Sequence, residues 1–126
     1  AAVLDKDTGL IWERAPERTL TMSWQDGRTA CRTRTLGDRI GWRLPTLDEL
    51  TSLVELANRN PALPNGHPFF LAGTPMRFWS ATRDAENPAV IYAVDFGVGS
   101  PYQYPTSQNM TLGIWCVRGL AGHEHQ

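Results

Sequence analysis

Thr46-Leu47-Asp48-Glu49-Leu50-Thr51-Ser52-Leu53-Val54-Glu55-Leu56-Ala57 is the stretch on which the fold class turns. Thr46 and Glu49 have the T-x-x-E spacing of a capping box, in which hydroxyl and carboxylate each satisfy a backbone N–H that a first helical turn leaves unpaired. Leu47, Leu50, Leu53, Val54 and Ala57 then follow an i, i+3, i+4 stripe, and the spacing predicts a helix over about 47–58. Upstream, Ser23-Trp24-Gln25-Asp26 has the chemistry of an earlier helix start, a hydroxyl at the N-cap and negative charge in the first turn. Trp24, Ala30 and Cys31 share a face of that helix, and Gly37 marks its stop. Before it, the cluster Asp5-Lys6-Asp7-Thr8-Gly9 reads as a turn into a short strand at Leu10-Ile11-Trp12. Downstream, Pro61, Pro64, Gly66, Pro68, Gly73 and Pro75 forbid long regular elements. Runs rich in aromatic and β-branched residues follow at 77–82, 89–96, 100–104 and 112–118, with turn residues between them. In 90–96 apolar and mixed positions alternate as in a half-buried antiparallel strand. Two helices and then a strand meander make an α+β chain.

A chain of 126 residues, 41% hydrophobic, is the size of a single domain with its own core, here about 5–119 with a tail at 120–126. Its formal net charge of −1 argues against nucleic acid, whose non-specific binding needs a marked positive excess. No apolar run approaches 18 residues, so no transmembrane segment is expected. The opening residues lack the basic start and apolar run of a signal peptide, so an exported form would be a mature one. Cys31 and Cys116 admit two readings. Paired, they close a loop worth about 4 to 5 kcal/mol of unfolded-chain entropy and imply an oxidising, extracytoplasmic compartment (periplasmic, secreted or cell-surface). Unpaired, they are two buried thiols.

Catalytic signatures are missing from the sequence: it has no P-loop, dinucleotide glycine fingerprint, G-x-S-x-G, H-E-x-x-H, paired CxxC or EF-hand loop. No catalytic residue, resident metal or cofactor is therefore expected. His67 sits between Gly66 and Pro68 as a loop residue, and the tail His123 and His125 are weak zinc donors at best. Calcium is the one cation with an oxygen set to draw on, Asp84, Glu86 and Asp95 with Asn87, against the plainer reading of solvated turn acids. Arg28, Arg32, Arg34, Arg39 and Arg43 concentrate positive charge, with Arg28 and Arg32 on one helix face. They form a candidate polyanion patch, suited to sulfated or carboxylated glycan, against the plainer reading of a solvated face. Arg83, Asp84, Asn87, Tyr102, Gln103, Tyr104 and Asn109 mix aromatic platforms with amide and charged partners, as sugar or peptide recognition requires.

The ordered set Thr8-Gly9-Leu10-Ile11-Trp12, Cys31, Gly41-Trp42-Arg43-Leu44-Pro45-Thr46 with Glu49-Leu50, Phe78-Trp79-Ser80-Ala81-Thr82, Val94-Asp95-Phe96 with Gly99-Ser100, and Cys116-Val117-Arg118-Gly119 resembles the bacterial Lcl C-terminal domain family, named for a collagen-like adhesin. The resemblance implies a C-type-lectin-like fold: two helices on a twisted antiparallel sheet, long irregular loops, and a disulfide from the first helix to the last strand, here Cys31 to Cys116. It implies a recognition or adhesion module binding glycan or a surface protein, with a structural domain that assembles homo-oligomers as the alternative. The E-P-N or Q-P-D and W-N-D strings of calcium-dependent sugar binders do not occur; the nearest are Glu86-Asn87-Pro88 and Tyr92-Ala93-Val94-Asp95. The related formylglycine-generating enzymes need catalytic cysteines, and a Cys31–Cys116 bridge would leave none.

Overall fold

The computed structural model describes residues 2–16, 21–34, 39–71 and 75–119. The chain is α+β. In order, the elements are β1 (Ala2–Leu4), β2 (Ile11–Glu13), α1 (Trp24–Arg32), α2 (Leu47–Thr51), β3 (Arg77–Arg83), β4 (Val90–Asp95), β5 (Ser100–Pro105), a 3-10 turn (Thr106–Gln108) and β6 (Val117–Arg118). The strands divide into two three-stranded antiparallel sheets, ordered β1-β2-β6 and β3-β4-β5.

Gly9, at φ +78°, closes the turn between β1 and β2, the corner that the Asp/Thr cluster announces. β1 itself carries no such signal and lies before the expected start of the core. Ser23 caps α1 by accepting from the Asp26 N–H (3.2 Å), and the helix ends at Arg32; the expected stop at Gly37 lies outside the described residues. The capping box of α2 is formed in full, with Thr46 Oγ1 accepting from the Glu49 N–H and Glu49 Oε1 accepting from the Thr46 N–H. The helix is five residues long, not twelve. Leu50 is buried in the helix, and Leu53, buried, and Val54, half-buried, follow just beyond its end. After that Glu55 N–H donates to Ala62 C=O (2.8 Å) and the chain leaves the helical ladder for the loop that carries the cis Asn60-Pro61 bond. Once the stripe's apolar residues are buried, non-local pairing outcompetes local propensity. Of the expected strand 112–118, only Val117–Arg118 joins a sheet; Leu112 and Gly113 make single bridges to Met22 and Phe78.

The sheet β3-β4-β5 divides the core. Phe78, Val94 and Phe96 pack with Trp12, Leu50, Leu53, Leu63 and Trp115 in one cluster, whereas Trp79, Ile91, Ala93 and Tyr104 pack with Trp24, Cys31, Trp42 and Ile114 in another. β4 is thus buried on both faces at its centre, a difference from the half-buried strand expected, because apolar elements cover both sides of the sheet. Gly27 lets α1 approach: a Cβ there would lie 2.2 Å from Ile114 Cδ1. β3 shifts register between Trp79 and Arg83, and this irregular stretch anchors both helices. Ser80 C=O accepts from Trp24 Nε1 (2.8 Å), the α2 residue Leu47 donates its N–H to Thr82 Oγ1 (2.8 Å), and Ala81 N–H donates to Pro45 C=O (2.7 Å). Cys31 and Cys116 are disulfide-bonded, with Cα atoms 5.6 Å apart, joining α1 to the segment that leads into β6.

Candidate functional site

Trp24 opens α1, and three neighbours fix it: the Ser80 carbonyl on its indole N–H and two guanidinium groups over its ring, Arg28 at 4.7 Å and Arg83 at 4.9 Å from the ring centre. Cation–π attraction of this kind is strongest on tryptophan. Because Trp24 is buried and tied, it forms the partition between two cavities, and Arg83 also lines both. The larger, about 600 Å³, has a floor of Trp24, Trp79 and Ile91 and a rim that includes Arg83, Thr106, Asn109 and Met110. Trp79 Nε1 is already satisfied by Met22 C=O (2.9 Å), so the floor presents ring surface and the rim presents polar groups. Asn109 adopts the left-handed conformation (φ +50°) that ends the 3-10 turn beside the cavity. An apolar floor with a few convergent polar groups is the general form of a small-ligand site.

The second cavity, about 470 Å³, lies between α1 and the segment 41–44, with Arg28, Arg32, Trp42, Arg43 and Arg83 in its wall beside Trp24. The i, i+4 spacing that places Arg28 and Arg32 on one helix face therefore opens onto a common hollow. Of the rest of the expected patch, Arg34 and Arg39 lie outside this wall, and Arg43 lies in it but is paired. Arg34 pairs with the buried Glu13, Arg39 is exposed, and Arg43 is itself 9% exposed. Arg43 makes a bidentate pair with Glu49, Nη1 to Oε1 and Nη2 to Oε2, each 2.8 Å. Burial would raise the Glu49 pKa, but the hydrogen bonds from Arg43 and the Thr46 N–H and the Arg43 charge outweigh it and hold the carboxyl below its ordinary value. Arg43 is thereby a structural cation. Its Nε and the Trp42 Nε1 have no hydrogen-bond partner and are buried behind the surface.

Of the seven mixed polar and aromatic candidates, the structure gathers only Arg83 and Asn109 at one cavity. Asp84 and Asn87 build the β3–β4 turn, their carboxylate and amide oxygens accepting from Glu86 N–H (3.1 Å) and Ala89 N–H (3.2 Å). Tyr104 is core, 7% exposed, edge-on to Trp79, its hydroxyl accepting from Arg77 (2.6 Å). Tyr102 is 38% exposed on β5 beneath the Arg77 guanidinium, and Gln103 donates to Tyr92 Oη (2.9 Å). Asp95, joined with Asp84 and Glu86 in the calcium option, stands at the opposite end of the β3–β4 pair and binds Arg77 (3.0 Å) and the Gly97 N–H. That Asp95 bond, then the one to Tyr104, raises the Arg77 pKa above its ordinary value. Among the described residues no three His, Cys, Asp or Glu side chains come together as a metal site. His67 accepts from the Phe69 N–H (3.2 Å) in a loop, and His123 and His125 lie outside the described residues. Sequence reading missed Trp24 and Trp42 as site walls. The only pointer was the position of Trp24 one residue after an N-cap, which puts it at the exposed end of a helix.

Comparison with known proteins gives one finding: the family model for the Lcl C-terminal domain matches residues 1–118. No curated protein matches the chain.

Proposed function

Because the chain belongs to the Lcl C-terminal domain family, we propose that it is the non-catalytic recognition module of an extracytoplasmic surface protein, with the cavity over Trp24 and Trp79 as its ligand site. The cavity carries this reading: its volume suits one or two sugar rings, its floor offers aromatic faces, and its rim offers hydroxyl, amide and guanidinium groups. Glycan is the ligand class that uses all three, and Arg83 extends the class to sulfated polysaccharide. The Cys31–Cys116 bond supports placement in an oxidising compartment, and no helix among the described residues is long and apolar enough to cross a membrane. Neutral and sulfated oligosaccharides tested on an array against the wild type and against Thr106→Ala and Arg83→Ala decide the matter. Binding that either substitution weakens supports the module; an array blank for every glycan removes it. Exposed Tyr102 and Met110 favour the second reading, a domain that assembles with copies of itself. A stable dimer or trimer by light scattering that loses mass on Tyr102→Ala would support that one instead.

A further inference from the structure

We propose that the arginine-lined cavity between α1 and Trp42 is a seat for one phosphate monoester or phosphate dianion, a hollow that shares Trp24 and Arg83 with the two-tryptophan cavity but has Arg28 and Arg32 to itself. Arg28 and Arg32 reach it from α1 and Arg83 from the end of β3, and no Asp or Glu lies in its wall. Among the described residues Arg34, Arg43 and Arg77 are neutralised by Glu13, Glu49 and Asp95, and Arg43 lies in this same wall, whereas Arg28, Arg32 and Arg83 have no carboxylate partner. Arg28 meets only the Gln25 amide oxygen (3.3 Å) and the Trp24 ring, and Arg83 meets the same ring. Two like charges are thus held within 5 Å of one ring centre, and a third faces the same hollow. Trp24, fixed by Ser80, offers both guanidinium groups a ring to rest on beside the hollow, a contact that lowers the ordering cost of binding.

Charge selects the class of ligand. Three guanidinium groups are matched best by a compact anion carrying close to two charges, and at neutral pH a phosphate monoester carries about 1.5 to 2, with its second proton leaving near pH 6. A carboxylate or a sulfate ester carries one and leaves the cluster under-neutralised. The volume of about 470 Å³ exceeds what a bare oxyanion occupies, so the organic body of a monoester fits beside its phosphate. This inference stands on the unpaired arginines and does not depend on glycan binding at the other cavity.

Calorimetric titration of the whole chain with inorganic phosphate, glucose 6-phosphate and glucose 6-sulfate at low salt tests it. One saturable site is expected, with phosphate esters bound about tenfold more tightly than the sulfate ester, and with affinity falling as pH drops through about 6. Arg32→Gln and Arg83→Gln should each weaken binding about tenfold. Arg39→Gln, outside the cavity, should leave it unchanged, and equal melting temperatures would show that the variants fold. Glucose 6-phosphate binding more tightly than inorganic phosphate assigns the site to an ester; equal binding assigns it to the free ion. The proposal is overturned if no phosphate probe saturates a site, if sulfate and phosphate esters bind alike, or if the arginine variants bind as the wild type does.

Discussion

At the scale of single residues, Glu49 has the most demanding position. One carboxylate closes the α2 capping box with Oε1 and holds the buried Arg43 guanidinium with both oxygens. Glu49→Gln would leave that cation without its counter-charge, and we expect a loss of about 3 kcal/mol, measured by urea unfolding at neutral pH. The pH dependence has a definite sign. The folded-state pKa is below the ordinary value of 4.5, so the stabilisation is complete above 4.5 and disappears as pH falls through the lower folded value. The gap between wild type and Glu49→Gln should therefore be widest at neutral pH and close in acid; a constant gap would mean that the charge on Glu49 is not what stabilises Arg43. The T-x-x-E spacing made the box legible in the sequence, since its partners are three residues apart. The pairing with Arg43 was not legible, because nothing in the local pattern separates a buried arginine from the exposed ones near it.

Elements were readable where local chemistry decides them and unreadable where distant contacts do. The caps of α1 and α2 and the existence of β3, β4 and β5 follow from short-range signals. The length of α2 and the irregular stretch Ser80–Thr82 depend on partners outside the helical and strand patterns, Ala62 in the next loop for one and the distant Trp24 and Leu47 for the other. β5 shows how an element protects itself. Thr106 N–H donates to Ala89 C=O (2.7 Å), so by strand alternation the N–H positions at 101, 103 and 105 face away from β4. Two of those three are proline, which leaves a neighbouring molecule few donors to pair with. We expect Pro101→Thr with Pro105→Thr to yield a folded chain that self-associates as concentration rises; light scattering showing a mass no different from wild type would count against a guarding role.

For the whole molecule, the covalent tie outweighs any single contact. Cys31 and Cys116 are 85 residues apart, and opening that loop should cost up to about 4 to 5 kcal/mol, a large part of what a domain of this size has. Unreduced mass spectrometry should show a two-hydrogen deficit, and the Cys31→Ser, Cys116→Ser variant should melt well below the wild type; equal melting would sink the entropic account. The family resemblance anticipated the pairing and the helix-to-end tie, and the residue pattern the α+β layout, whereas the candidate site was only partly legible. Alternation along a strand cannot tell which tyrosine is core, so Tyr104 looked like a platform and Trp24 like filler. The bond also bears on how firmly the arginine-lined hollow is held. Cys31 immediately precedes Arg32 and lies one turn beyond Arg28, so the sulfur bridge clamps the very end of the helix that presents both guanidinium groups. If the hollow seats an anion as proposed, a chain with the bond reduced would hold Arg28 and Arg32 less firmly around it than the oxidised chain does.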